Sequence, residues 1–332
     1  MLWHSNLVAT LLWILTIFAL NNTMAWSFSN QILSMTKGNL ALANSVAAGV
    51  QHGMEECQSQ FKWDPWNCPK DAFSVFHNPA SQPATREKAF VHAIISAGIM
   101  YTLTKNCSLG HFDCGCDQSK KASNAFLIDK QWTWGGCSDN VKFGEHTAKE
   151  FLDSNEPRTD TGLVNLHNNR VGRRAVKKTM RKMCKCHGVS GSCAVTTCWM
   201  RLSDMQTIGK RLRRAFENAK RLDYNGGSLN SERKDLPFRK HELIYSYDSI
   251  NYCNANLTAG TVGTLGRECS LRSGVGVTRS EAESCKRLCH DCGLKIRTEN
   301  TTQSTSCKCR FIWCCRVECQ TCVTEVTRTF CD

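Results

Sequence analysis

Apolar residues recur at helical spacing through the first two thirds of the chain and lose that spacing in the last third. Between Asn39 and Cys57, residues Leu42, Val46, Val50 and Met54 return every fourth position, the repeat of one helix face. From Thr85 to Asn106 the stripe is Phe90, Ile94, Ala97, Met100, Tyr101 and Leu103, with Thr85 placed to cap the N-terminus. Thr161 to Met183 carries Leu163, Leu166, Val171, Ala175, Val176, Met180 and Met183 largely on one face. Arg173, Arg174, Lys177, Lys178, Arg181 and Lys182 take the other face. Ser203 to Leu222 repeats the design, with Met205, Ile208, Leu212 and Phe216 opposite Lys210, Arg211, Arg213 and Arg214. No such helix buries its stripe alone, so residues 26–224 are expected to form a mainly α, helical-bundle N-terminal domain. Asn225-Gly226-Gly227 opens a polar stretch read as a linker over 225–250. Beyond it, short β-prone runs lie between cysteines, which predicts a small disulfide-rich β-hairpin C-terminal domain over 251–332.

Composition sets the compartment. Leu7 to Leu20 is apolar except for Thr10 and Thr16, and small residues follow up to Ala25. That run is too short to span a bilayer and matches a signal peptide over 1–25, which implies secretion. The 22 cysteines all lie beyond it, and in an oxidising compartment they allow up to eleven disulfides. Twelve of them fall in 253–332, where apolar residues are too few for an ordinary core, so disulfides must stabilise that part. Asn-x-Ser/Thr sequons at Asn106, Asn256 and Asn300 fit secretion and N-glycans. The net charge of +13 suits sulfated glycans and anionic membrane surfaces; for a secreted chain it does not indicate nucleic acid.

Candidate chemistry concentrates between Cys184 and Cys198, CKCHGVSGSCAVTTC. If Cys186 closes on Cys193 and Cys184 on Cys198, the segment is a doubly stapled hairpin with Ser190 at its crown. As a nucleophile Ser190 lacks support. Ser192 replaces the second glycine of a Gly-x-Ser-x-Gly elbow, the elbow belongs between a strand and a helix, and His187 has no evident acid. Zinc ligation by the same cysteines competes with disulfide formation in a secreted chain. His290-Asp291 between Cys289 and Cys292 does not match the spacing of secreted phospholipases and reads as surface. A second stapled hairpin would present Phe311-Ile312-Trp313-Cys314-Cys315-Arg316-Val317 between Cys309 and Cys319. Phe311 and Trp313 then either form the core of a thin domain or an exposed apolar partner surface.

Several of these segments resemble the Wnt family of secreted signalling glycoproteins, in family order and over essentially all of the chain beyond the signal peptide. They are Trp132-Thr133-Trp134-Gly135-Gly136-Cys137-Ser138-Asp139-Asn140, Asn168-Asn169-Arg170, the Cys184–Cys193 tip and Trp313-Cys314-Cys315. The Cys289-His290-Asp291-Cys292 spacing and Cys107-Ser108-Leu109-Gly110 look most like the subfamily numbered eight. The resemblance implies a non-enzymatic developmental ligand without cofactors, secreted into the extracellular space and matrix. It implies a palmitoleoyl chain of sixteen carbons on Ser190, added by the acyltransferase Porcupine, and passage on the carrier Wntless. It further implies Frizzled binding at two points. One is a thumb (184–198) carrying acylated Ser190; the other is an index finger (307–322) with Phe311, Trp313, Cys314, Cys315 and Val317. A lipoprotein-receptor-related co-receptor completes the complex, and the lipid confers membrane association. Apart from the resemblance, the two basic helix faces read either as solvated surface or, with the net charge of +13, as a site for heparan sulfate. By the same resemblance the disulfides are Cys57–Cys68, Cys107–Cys114, Cys116–Cys137, Cys184–Cys198 and Cys186–Cys193 in the helical part. In the C-terminal part they are Cys253–Cys292, Cys269–Cys285, Cys289–Cys331, Cys307–Cys322, Cys309–Cys319 and a vicinal Cys314–Cys315.

Overall fold

The structure, a computed structural model, describes residues 34, 38–69, 83–117, 132–154, 156–222, 238–256 and 261–332. The expected signal peptide (1–25) and the first half of the expected linker lie outside them. The chain divides into two compact units, Met1–Cys57 with Pro69–Ser249, and Gln58–Cys68 with Ile250–Asp332. Among the described residues no helix is long and apolar enough to cross a membrane.

The first unit is the helical domain. It is built on α1 (Leu40–Gln60), α2 (Arg86–Ser108), α3 (Val141–Asp153), α4 (Asp160–Thr179) and α5 (Met205–Glu217). Helix α2 is the hub, in contact with α3, α4 and α5. It buries Val91, Ile95 and Ile99 as well as Phe90, Ile94, Ala97, Met100 and Leu103 of the stripe read from sequence, with Tyr101 half-buried, so it is covered on most sides. Its start is as expected: Thr85 Oγ1 accepts from Lys88 N at 3.4 Å. Helix α4 begins earlier than its apolar pattern suggested because Thr159 caps it, accepting from Gly162 N at 3.2 Å. It ends at Thr179, where Met180 turns extended, so Arg181, Lys182 and Met183 belong to a strand instead. Helix α3 was not read from the sequence. Asn140 marks its start, with Oδ1 accepting from Phe143 N at 3.0 Å.

Arg173 is the main correction within this unit. Expected on the solvated basic face of α4, it is 2% exposed. Its guanidinium donates to both carboxylate oxygens of Asp153, at 3.0 and 2.8 Å, and to Ser96 Oγ at 3.2 Å. A polar seam runs nearby. Burial pushes His92 down to about 3, keeping it neutral, and raises the Glu156 carboxyl that lies 3.6 Å from it. Burial also lowers Lys88 to about 8.

The stretch expected as a linker is only partly one. Leu243 and Ile244 are buried, and β5 (Ile244–Tyr245) pairs parallel with β4 (Lys220–Arg221). Asn168, inside α4, satisfies the free side of that strand. Its Nδ2 donates to Ile244 O at 2.9 Å and its Oδ1 accepts from Ile244 N at 3.1 Å. An amide side chain on the helix thus replaces a neighbouring strand, which is why a buried Asn is needed there.

The second unit is disulfide-rich. Its core consists of Cys269, Cys285, Leu288, Cys289 and Cys331, with Leu294 packed against them. Pairs Cys269–Cys285 and Cys289–Cys331 lie in that core, and Cys253–Cys292 adds a third link. Two short helices, Arg279–Ala282 and Ser284–Leu288, stand beside the expected hairpins. Residues 58–68, expected in the helical domain, belong here. Arg267 donates to the carbonyl oxygens of Lys62, Asp64 and Pro65 at 2.8–2.9 Å, and Arg287 pairs with Asp64 at 2.8 Å. The largest element is a long ribbon of Ile296–Ile312 and Arg316–Cys331.

Candidate functional site

Two stapled hairpins carry the residues singled out in the sequence. The first consists of β2 (Arg181–Cys186) and β3 (Val195–Arg201), antiparallel, with β1 (Trp132–Gly135) parallel on the far side of β3. Cys184 and Cys198 are direct cross-strand partners and are disulfide-bonded, and Cys186 is bonded to Cys193. Those bonds use all four sulfurs considered for zinc. Between them, Val189–Gly191 form a single 3₁₀ turn with Ser190 in the left-handed region, φ 56° and ψ 27°. The turn closes through Gly191 N to Gly188 O (2.9 Å), Ser192 N to Val189 O (3.1 Å) and Gly188 N to Ser192 O (2.8 Å).

Glycines make this crossing possible. A Cβ on Gly188 would lie 2.5 Å from Ser192 O, and Gly191 holds φ 76°. Ser190 is exposed and its hydroxyl makes no hydrogen bond among the described residues; Val189 beside it is 90% exposed. His187 bonds through its backbone N to Val195 O at 2.7 Å, and among the described residues no carboxylate pairs with its ring. The tip lies between two strands. It therefore has neither the base–acid chain nor the strand-to-helix setting of a serine nucleophile. It is a rigid post that offers one bare hydroxyl.

Below the hairpin, Asp204 caps α5, its Oδ1 accepting from Thr207 N at 2.6 Å, and hydrogen bonds from the Thr207 side chain and then its backbone hold the carboxyl below the usual range. Ser138 and Asp139 secure the base of β3 through Met200 N (3.0 Å) and Leu202 N (2.7 Å). That explains part of the Trp132–Asn140 segment: its polar end is the socket of the hairpin.

The second hairpin is the far end of the long ribbon. Phe311 and Val317 are cross-strand partners on one face, 69% and 62% exposed, and Trp313 at the turn is 91% exposed. These rings are not a core; they form an open apolar end. Cys307–Cys322 and Cys309–Cys319 close the shaft. Between these cystines Lys308 and Cys309 face the single Cys319, a bulge with Lys308 at φ 47°. Cys314 and Cys315 differ from expectation. Both are free and exposed, and each holds φ 78° in the three-residue reversal. The reversal sets both backbones, and the strained eight-membered ring of a vicinal disulfide is not formed.

The structure also joins Cys107 to Cys114 and Cys116 to Cys137, and Cys57 and Cys68 are each disulfide-bonded. Among the sequon asparagines, Asn256 and Asn300 are exposed on strands, whereas Asn106 is half-buried in α2 with Nδ2 donating to Ser45 Oγ at 2.8 Å. His290 and Asp291 are exposed side by side, 3.4 Å apart. On the two basic faces, Arg170, Lys178, Lys210, Arg211 and Arg214 are exposed, while Lys177 is paired with Glu145 at 2.6 Å.

Comparison with known proteins places this geometry. A model of the wnt family matches residues 25–332. The chain is 47% identical to Protein Wnt-8a of Danio rerio, covering 93% of this chain and 89% of that one. It is 48% identical to Protein Wnt-8b of Mus musculus over 94% and 91%. A solved structure of human WLS in complex with WNT8A aligns with TM-score 0.70 and 41% identity, covering 92% of this chain and 99% of the solved one.

Proposed function

The chain belongs to the Wnt family, whose members are secreted signalling ligands and not enzymes, and on that premise we propose that it is a lipid-bearing ligand acting through Ser190. The observation that carries the reading is the bare, exposed Ser190 hydroxyl on a turn braced by two disulfides. A palmitoleoyl ester there explains why so stiff a post ends in one small hydroxyl. Burying a sixteen-carbon chain contributes up to roughly 10 kcal/mol at ~0.8 kcal/mol per CH₂. That outweighs anything the small tip itself offers. The braced loop keeps the ordering cost of docking low.

In this reading the acylated thumb enters an apolar groove of a Frizzled cysteine-rich domain. The exposed Phe311, Trp313 and Val317 grip a second point. A lipoprotein-receptor-related co-receptor completes the assembly. Porcupine adds the acyl chain, and a WLS-type carrier takes the ligand through secretion, as human WLS is found in complex with WNT8A. Heparan sulfate binds the exposed arginines and lysines of α4 and α5, and N-glycans occupy the sequons.

Mass spectrometry of the peptide spanning Cys186 to Cys198 from secreted protein tests the reading, with a C16:1 adduct on Ser190 as the expected result. Ser190→Ala is expected to fold with its disulfides intact and to lose binding to a Frizzled cysteine-rich domain. Undiminished binding by that variant overturns the proposal.

A further inference from the structure

The thumb carries a second feature that the acyl reading does not use. From Arg181 to Ser203 the chain has no Asp or Glu, yet it carries Arg181, Lys182, Lys185 and Arg201. All four are exposed. Arg181 is tied at the base, to Thr207 Oγ1 at 3.2 Å and near Asp204 at 3.9 Å. Lys182, Lys185 and Arg201 have no ion pair among the described residues.

The strand register distributes these charges around the stem. Directly opposed residues share a face. Lys185 therefore lies with Thr197, Met183 with Trp199 and Arg181 with Arg201 on one face, while Lys182 lies with Met200 on the other. Cations thus stand on both faces, so the charge forms a collar and not a flat patch. Apolar surface lies within and beyond it: Met183 is 41% exposed, Val195 37% and Val189, at the tip, 90%. Lys185 precedes Ser190 by five positions, at most roughly 16 Å along extended chain, and a lysine side chain spans part of that back towards the tip.

An apolar tip, then a basic collar, is the charge order of a segment entering a bilayer from a headgroup layer. A sulfated glycan needs the cations but gains nothing from the exposed Val189. We infer that the thumb stem is a binding surface for anionic phospholipid headgroups, formed by Lys182, Lys185 and Arg201 along the stem from its base towards the tip. The surface belongs to the polypeptide itself and adds to any acyl chain; one chain alone anchors weakly, whereas a chain plus a basic cluster anchors stably.

The test removes the acyl site so that the two ideas fail separately. The full-length Ser190→Ala chain is sedimented with vesicles of phosphatidylcholine alone and with vesicles containing about one quarter phosphatidylserine. Binding to the anionic vesicles and not to the neutral ones is expected. Each cation near an anionic surface is worth about fivefold, so adding Lys182→Gln, Lys185→Gln and Arg201→Gln weakens binding roughly a hundredfold. The same neutralisation at Lys210, Arg211 and Arg214 of α5 is expected to change it far less. Equal loss from both triple variants overturns the inference, because net charge alone then explains binding. Retained vesicle binding with lost heparin retention in the stem variant also overturns it, in favour of a glycan site. If the triple variant is not secreted, Lys185→Gln alone is expected to show the fivefold loss, and no loss overturns the inference.

Discussion

Two ion pairs join α3 to α4, and they predict very different consequences for the same kind of change. Lys177 and Glu145 approach to 2.6 Å with side chains 38% and 31% exposed. Arg173 and Asp153 approach to 2.8 Å at 2% and 15% exposure, and Arg173 also reaches Ser96. Distance alone ranks them as equals. Desolvation does not. Glu145→Gln removes a solvated pair worth about 0–1 kcal/mol. Asp153→Asn keeps the shape but leaves a guanidinium in the core without its counter-charge, at a cost of about 3–5 kcal/mol. In a unit of this size the second change lowers the melting midpoint by on the order of 10 °C, and the first scarcely moves it. Guanidinium and thermal unfolding of disulfide-intact Ser190→Ala protein, followed by tryptophan fluorescence, measures both on a soluble background. Equal shifts for the two variants would refute the claim that burial, rather than proximity, decides what these pairs contribute.

Two further outcomes follow from the core. A Cβ on Gly98 would lie 2.8 Å from the Gly53 Cα and also against the Gly49 carbonyl, so α1 and α2 cross backbone to backbone. Gly98→Ala is therefore expected to destabilise by about 3 kcal/mol and to reduce secreted yield, read by the same unfolding curves. His92 is held down at about 3 by burial, with Lys88 lowering it further, against about 6.5 when unfolded. Between those values the unfolded chain binds a proton that the native chain refuses. The contribution of His92 is thus complete above pH 6.5 and falls by about 1.4 kcal/mol per unit as pH drops towards 3. Glu156, whose carboxyl is raised by burial, opposes this from about pH 4.5 upward, where the native chain holds a proton that the unfolded chain has lost. His92→Gln is expected to flatten the stability–pH curve between pH 5 and 6.5, and an unchanged slope there contradicts the assignment.

Local signals in the chain carried far. The four-residue returns of Val46, Val50 and Met54 and the Thr85 cap located α1 and α2. The spacing of Cys184, Cys186, Cys193 and Cys198 already contained a stapled loop, because hairpin pairing is a short-range matter of register. What failed were questions of burial answered by a distant partner. Arg173 sits at positions that read as one with Arg174 and Lys177, and only Asp153 and Ser96, brought in by other helices, remove it from solvent. Leu243 and Ile244 look like part of a polar connector until the amide of Asn168, on helix α4, completes the strand that Ile244 opens. The spacing of Gly49 and Gly53 was a signal that could have been used, since small residues one turn apart allow a close crossing.

By itself, then, the sequence determined the oxidising compartment, the two-part division into helices and cystine-held ribbons, and the loop on which Ser190 stands. These depend on composition, periodicity and near-neighbour spacing. Tertiary structure alone decided that Phe311 and Trp313 are surface and not core, and that Arg173 is core and not surface. It also decided that Cys314 and Cys315 stay apart. Burial is a property of what covers a residue, and the covering residues come from far along the chain. The Ser190 hydroxyl belongs to both: its loop was legible in the cysteines, but its left-handed turn, bare of any partner, exists only once two glycines let the chain cross over itself.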